Sequence, residues 1–117
     1  MKRVLIVDDE KVVLDVLERI LKRLGCSAEV AHTGEKAMEM FETDVFDLVM
    51  LDVLMPGKNG FEIAREMKKI RPDQRIVLVT GMGEHAVNVK NVNNPVQIDE
   101  VLAKPFSFEK IKSLLDE

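Results

Sequence analysis

Four short runs of apolar residues punctuate the chain: Val4–Val7, Leu48–Leu51, Ile76–Val79 and Val101–Ala103. None alternates with polar residues, so each reads as a strand covered on both faces, the habit of parallel sheets. Ala28–Ala31 is a weaker run suited to a sheet edge. Between the runs the period changes to that of helices. Val13, Leu17, Ile20, Leu21 and Leu24 form one stripe, with Gly25 placed to stop it. Thr33 is placed to cap a second helix carrying Ala37, Met38 and Phe41. Ile63, Ala64, Met67 and Ile70 mark a third, closed by Pro72, and Ser107 precedes a last one with Ile111, Leu114 and Leu115. Strand and helix alternate throughout, which predicts an α/β layer fold: a doubly wound, five-stranded parallel sheet with about five helices. With the common doubly wound order 2-1-3-4-5, the strand order reverses between the first and third strands. The fourth of these helices falls in Glu84–Pro95, where four Asn and three Val make it weak or short.

Composition narrows the class. The 117 residues suit one domain spanning 1–117, and 46% hydrophobic residues suffice for a core. A net charge of −4 argues against nucleic-acid binding, which favours a basic surplus. The single Cys26 excludes an internal disulfide and fits a reducing compartment. No apolar run approaches the roughly 18–20 residues of a membrane span, and the apolar run after Met1–Arg3 is too short for a secretion signal. The expectation is a cytoplasmic, mildly acidic module with no membrane contact and room for one site.

The candidate site lies in the polar residues that end each apolar run: Asp8-Asp9-Glu10 after the first, Asp52 after the second, Thr80 after the third, and Lys104-Pro105 after the fourth. In an open parallel sheet these C-terminal ends share one edge, and ligands bind where the strand order reverses. Asp8, Asp9 and Asp52 would then face one crevice, with Thr80 and Lys104 beside it. Carboxylates so gathered repel one another, and a divalent cation offsets that repulsion. An all-oxygen set selects a hard ion such as Mg²⁺, and Mn²⁺ could substitute. His32, His85 and Cys26 stand elsewhere, which argues against zinc. The set suits phosphoryl chemistry: a carboxylate nucleophile, with a cation, an ammonium and a hydroxyl for the transferring oxygens. Asp52, the lone acid ending a central strand, is the candidate nucleophile. Asp8 and Asp9 would hold the metal, helped by a backbone carbonyl in the following loop, that of Leu54.

At this point the chain resembles the receiver domain of two-component response regulators, whose fold is flavodoxin-like. The resemblance rests on Val7-Asp8-Asp9-Glu10, Leu51-Asp52 with Met55-Pro56-Gly57 and Gly60, Val79-Thr80, and Lys104-Pro105-Phe106. It implies a phosphorylation-dependent switch rather than an enzyme acting on other molecules. Asp52 would take a phosphoryl group from a phosphohistidine on a sensor histidine kinase or phosphotransfer protein. Asp9, Asp52 and the Leu54 carbonyl would bind Mg²⁺ directly, and Asp8 through water. Lys104 would contact the phosphoryl group, Thr80 would move toward it, and the Lys104–Pro105 bond would be cis. The conformational change would act on a downstream protein or linked effector domain, and phosphorylation-dependent homodimerisation is a further outcome to test.

Two features depart from the family's pattern. Val101 stands where an aromatic residue usually changes rotamer with the threonine, and the 24-residue step from Thr80 to Lys104 is slightly long. Two rival readings fit less well. A haloacid-dehalogenase-type Mg²⁺-dependent phosphatase needs a second Asp where this chain has Leu54. A phosphorylation-independent binding module leaves the complete acidic set, Thr80 and Lys104 unexplained. Met82 is placed to line the site's mouth and slow loss of the phosphoryl group. The remaining features read as ordinary structure: His32 and His85 in solvent, Cys26 as core filler, Phe61, Phe106 and Phe108 as packing, and Lys68, Lys69 and Arg71 as a solvated face.

Overall fold

The structure is a computed structural model and describes residues 2–53, 59–80, 100–103 and 107–116. Its elements run β1 (Arg3–Val7), α1 (Lys11–Arg23), β2 (Ser27–Ala31), α2 (Gly34–Thr43), β3 (Leu48–Asp52), α3 (Gly60–Ile70), β4 (Ile76–Thr80), β5 (Glu100–Ala103) and α4 (Phe108–Leu115). The five strands pair in parallel throughout, as the alternation predicts, and form one sheet in the order β2-β1-β3-β4-β5. The segment Glu84–Pro95, Leu54, Met82, His85 and Lys104–Phe106 lie outside the described residues, and so do the expectations placed on them, the weak helix and the cis bond included.

The unbroken apolar runs have a direct cause. Alternate residues of each central strand enter two different cores. Leu5, Val7, Val49, Leu51, Ile76 and Leu78 pack with α2 and α3, through Phe41, Phe61, Ile63 and Met67. Val4, Ile6, Leu48, Met50, Val77 and Val79 pack with α1 and α4, through Leu14, Leu17, Leu21, Ile111 and Leu114. A polar residue at any of these positions would be desolvated on one face or the other.

The helix ends follow their sequence signals. Thr33 accepts a hydrogen bond from the Lys36 amide and Ser107 from that of Lys110, satisfying donors the first turn leaves free. After α1, Gly25 takes φ +82°. Its N–H reaches the Lys22 carbonyl and that of Cys26 the Leu21 carbonyl, the paired bonds of a Schellman stop. A Cβ at Gly25 would meet nothing within 4 Å, so only the backbone conformation opposes a side chain there. Gly25→Ala should therefore lower unfolding free energy by about 1 kcal/mol, and Gly25→Asn by less; urea denaturation of the three proteins tests this.

Several expectations need correction. The buried line of α1 is Leu14, Leu17 and Leu21, while Val13, Ile20 and Leu24 sit half-buried at its margins. The stripe read from sequence is displaced because five apolar residues on neighbouring rows give no unique centre. Ile70, the last residue of α3, is 45% exposed. The basic residues after Met67 are only partly a solvated face: Lys68 Nζ donates to the Gln74 carbonyl, and Arg71 donates to the Asp44 carbonyl at 3.0 Å and lies 4.2 Å from the Phe41 ring centroid. Cys26 is buried as expected. Desolvation raises its thiol pKa, with Lys2 and the N-terminal amine pulling the other way. Among the described residues no helix is long and apolar enough to cross a membrane.

Candidate functional site

The sheet register brings the acids together. Val7 pairs with Leu51, so the next residues outward, Asp8 and Asp52, leave adjacent strands at the same level of the C-terminal edge. On the other side of β3, Asp52 pairs with Val79, and Thr80, one step further, pairs with Ala103. The residue after Ala103 is Lys104. The backbone thus sets the predicted residues that end β1, β3 and β4 along one edge, with the reversal point between β1 and β3. His32 is exposed.

Burial grades the carboxylates. Asp8 is 1% exposed and Asp52 5%, whereas Asp9 and Glu10 are exposed. The Asp8 amide continues the β1–β2 ladder by donating to the Ala31 carbonyl at 3.2 Å, and Asp8 Oδ1 accepts from the Glu10 amide at 2.9 Å. This local turn stops the strand and starts α1 at Lys11. The acids therefore stand at the positive end of α1, which favours negative charge. Asp8, Asp9 and Glu10 each offer a carboxylate oxygen, all within 4.8 Å of one another. Glu10, read in sequence only as part of the motif, is thus a member of the acidic cluster. The donor set is all oxygen, close and anionic, which fits a hard divalent cation.

Asp52 is held from behind. The Val53 amide donates to the Val79 carbonyl at 3.1 Å, and the Gly60 amide donates to the Val53 carbonyl at 2.9 Å. The second bond ties the start of α3 to the end of β3. Asn59 caps α3 by accepting from the Glu62 amide at 3.0 Å, a contact signalled by the Asn-x-x-Glu spacing but not drawn from it.

Comparison with known proteins now identifies the class. The family model for the response regulator receiver domain matches residues 4–116. The chain belongs to that family, the receiver domains of two-component signalling. It is 34% identical over 109 residues to the response regulator MprA of Mycobacterium avium, covering 93% of this chain and 47% of MprA. It is 32% identical over 112 residues to the aerobic respiration control sensor protein ArcB of Escherichia coli, covering 96% of this chain and 14% of ArcB. The chain thus spans about half, or far less, of the curated relatives it matches. Among solved structures it resembles the response regulator TrrA of Thermotoga maritima in complex with Mg²⁺-BeF (TM-score 0.87, 34% identity, 99% of this chain and 97% of that one). It also resembles the chemotaxis protein CheY4 of Vibrio cholerae (TM-score 0.91, 25% identity, 99% and 97%).

Proposed function

We propose that this chain is a single receiver domain over residues 1–117 that takes a phosphoryl group on Asp52 from a phosphohistidine of a sensor kinase or phosphotransfer protein. The observation that carries this reading is the register of β1 and β3, which sets Asp8 and Asp52 side by side at the sheet's C-terminal edge in a chain of the receiver family. Neither a phosphatase nor a phosphorylation-independent module is favoured by that family membership.

In the proposed step an Asp52 carboxylate oxygen attacks phosphorus while the P–N bond to the donor imidazole breaks, and the imidazole leaves with a proton. The product is an acyl phosphate. Mg²⁺, or Mn²⁺ in its place, would be held by Asp9, Asp52 and the Leu54 carbonyl, with Asp8 acting through water; when bound it neutralises charge on the phosphoryl oxygens. Lys104 pairs with the same oxygens and the Thr80 hydroxyl donates to them. The burial of Asp52 limits competing water. Phosphorylation adds about 1.5 to 2 negative charges at one strand end, and the conformational populations shift toward the form that a downstream protein or effector domain binds. The setting is the cytoplasm, and self-association on phosphorylation is one output open to test. With Val101 at the usual aromatic position, output does not depend on an aromatic rotamer there.

Incubation with acetyl phosphate tests the reading. The intact mass should rise by one phosphoryl group in the presence of Mg²⁺, and EDTA should prevent the gain. An unchanged mass, or a gain indifferent to EDTA, contradicts it.

A further inference from the structure

We propose that Gly60 is a positioning residue for the phosphoryl-transfer step; the inference rests on the reading of Asp52 as phosphoacceptor. Gly60 opens α3 and is buried. Among the described residues only Gly25 has a positive φ, so Gly60 is not required for an unusual backbone torsion. What it supplies is space. A Cβ there would stand 2.5 Å from the Asp52 carbonyl oxygen, 3.0 Å from Val53 Cα and 3.2 Å from the Asp52 carbonyl carbon. All three are main-chain atoms of the phosphoacceptor and its neighbour, and none can rotate aside.

Gly34 gives the contrast. A Cβ at Gly34 would come 2.7 Å from Ile63 Cδ1, the end of a flexible side chain on the same helix α3. That clash falls on a side chain, which can shift within the α2–α3 core at a cost in packing, whereas the one at Gly60 requires the strand end and the helix to separate. Two further features make the Gly60 contact a determinant of aim. The Gly60 amide bonds to the Val53 carbonyl, so the same residue ties the start of α3 to the residue that follows Asp52. The Asp52 carboxylate belongs to the residue whose peptide α3 rests on. The first turn of α3 and the strand end therefore fix each other, and with them the backbone from which the Asp52 carboxylate projects. Misplacement of a reacting group by about 1 Å can reduce a rate on the order of 10²-fold.

The test measures phosphorylation by acetyl phosphate as a function of Mg²⁺ concentration in the whole chain, alongside urea denaturation. Gly60→Ala should slow phosphorylation by about 10- to 100-fold and raise the Mg²⁺ concentration for half-maximal rate. Gly34→Ala, which crowds α3 against α2 and away from Asp52, should lose stability but keep rate and Mg²⁺ dependence within about twofold. Asn59→Ala removes the cap of α3 without adding bulk. It should slow the reaction several-fold in the same direction, and it decides the matter if Gly60→Ala does not fold. Wild-type rate and Mg²⁺ dependence in a folded Gly60→Ala, an equal kinetic deficit in Gly34→Ala, or an unaffected Asn59→Ala where Gly60→Ala cannot be made, would each overturn the inference. Asp52→Asn separates the two readings. If it still accepts a Mg²⁺-dependent phosphoryl group, the phosphoacceptor assignment fails. If it does not, and Gly60→Ala behaves as wild type, only the positioning role fails.

Discussion

Replacing Asp52 by asparagine is expected to reduce phosphorylation by acetyl phosphate to background, a loss on the order of 10³-fold or more for removal of a nucleophile, while the protein remains folded. Asparagine is nearly isosteric and keeps an oxygen at the end of β3, so the ladder to Val79 is undisturbed. The effect on stability should carry the opposite sign to the effect on activity. Asp52 is a buried acid placed by register beside the equally buried Asp8. Gathered carboxylates repel one another, so deleting one charge in the absence of Mg²⁺ should leave stability unchanged or increase it. Mg²⁺ should reverse the order. A ligand that binds only the native state stabilises it by about 2.7 kcal/mol at one hundred times its Kd, and Asp52→Asn should lose most of that gain. Thermal denaturation of both proteins with and without Mg²⁺ separates these expectations. A Mg²⁺-induced rise in Tm of equal size in the two would show that the acids of β1 bind the ion without Asp52.

The second large effect lies in the core behind the site. Phe41 is fully buried on α2 and packs among Ala37, Phe61, Ile63, Ala64 and Met67. Its ring also meets the Arg71 guanidinium at 4.2 Å. Arg71 Nη2 bonds to the Asp44 carbonyl, while its buried Nη1 has no hydrogen-bond partner among the described residues, so the ring face is a favourable neighbour for that edge of the cation. Phe41→Ala removes both the filling of the α2–α3 core and this contact. The expected loss is about 3–5 kcal/mol, a large share of the roughly 5–15 kcal/mol that holds a domain together. Urea denaturation measures it. A double-mutant cycle with Arg71→Ala should return a coupling of about 0.5–2 kcal/mol. A loss below about 1 kcal/mol for Phe41→Ala would contradict the packing described.

The sheet is readable in the sequence because each central strand is buried twice over, which forces continuous apolar runs such as Leu48–Leu51. Its parallel pairing is readable from strict alternation with helices, whereas the order of the strands is not, since more than one doubly wound order alternates in this way. The acidic edge is readable for a related reason: a polar residue directly after such a run marks the point where burial ends, and Asp8 and Asp52 stand there. Other parts leave weaker traces. The buried line of α1 passes through Leu14, yet Val13 beside it is equally apolar, so hydropathy alone misplaces the stripe. Arg71 reads as a surface cation because nothing local in sequence signals that Phe41, thirty positions earlier, comes beneath it. Gly60 is legible as a turn residue but not as the contact of α3 with the Asp52 peptide, since close approach depends on how a helix docks and not on the residues flanking the glycine.

All of the proposed chemistry turns on the phosphoryl group residing on one carboxylate at the C-terminal edge of β3. Borohydride reduction of the protein after acetyl phosphate treatment, followed by peptide mass mapping, locates that group, because an aspartyl phosphate is reduced to homoserine. Homoserine is expected at position 52 alone, and only when Mg²⁺ is present. Homoserine at position 8 or 9, the corresponding reduction at Glu10, or a phosphorylated protein with no reduced residue, would contradict the assignment.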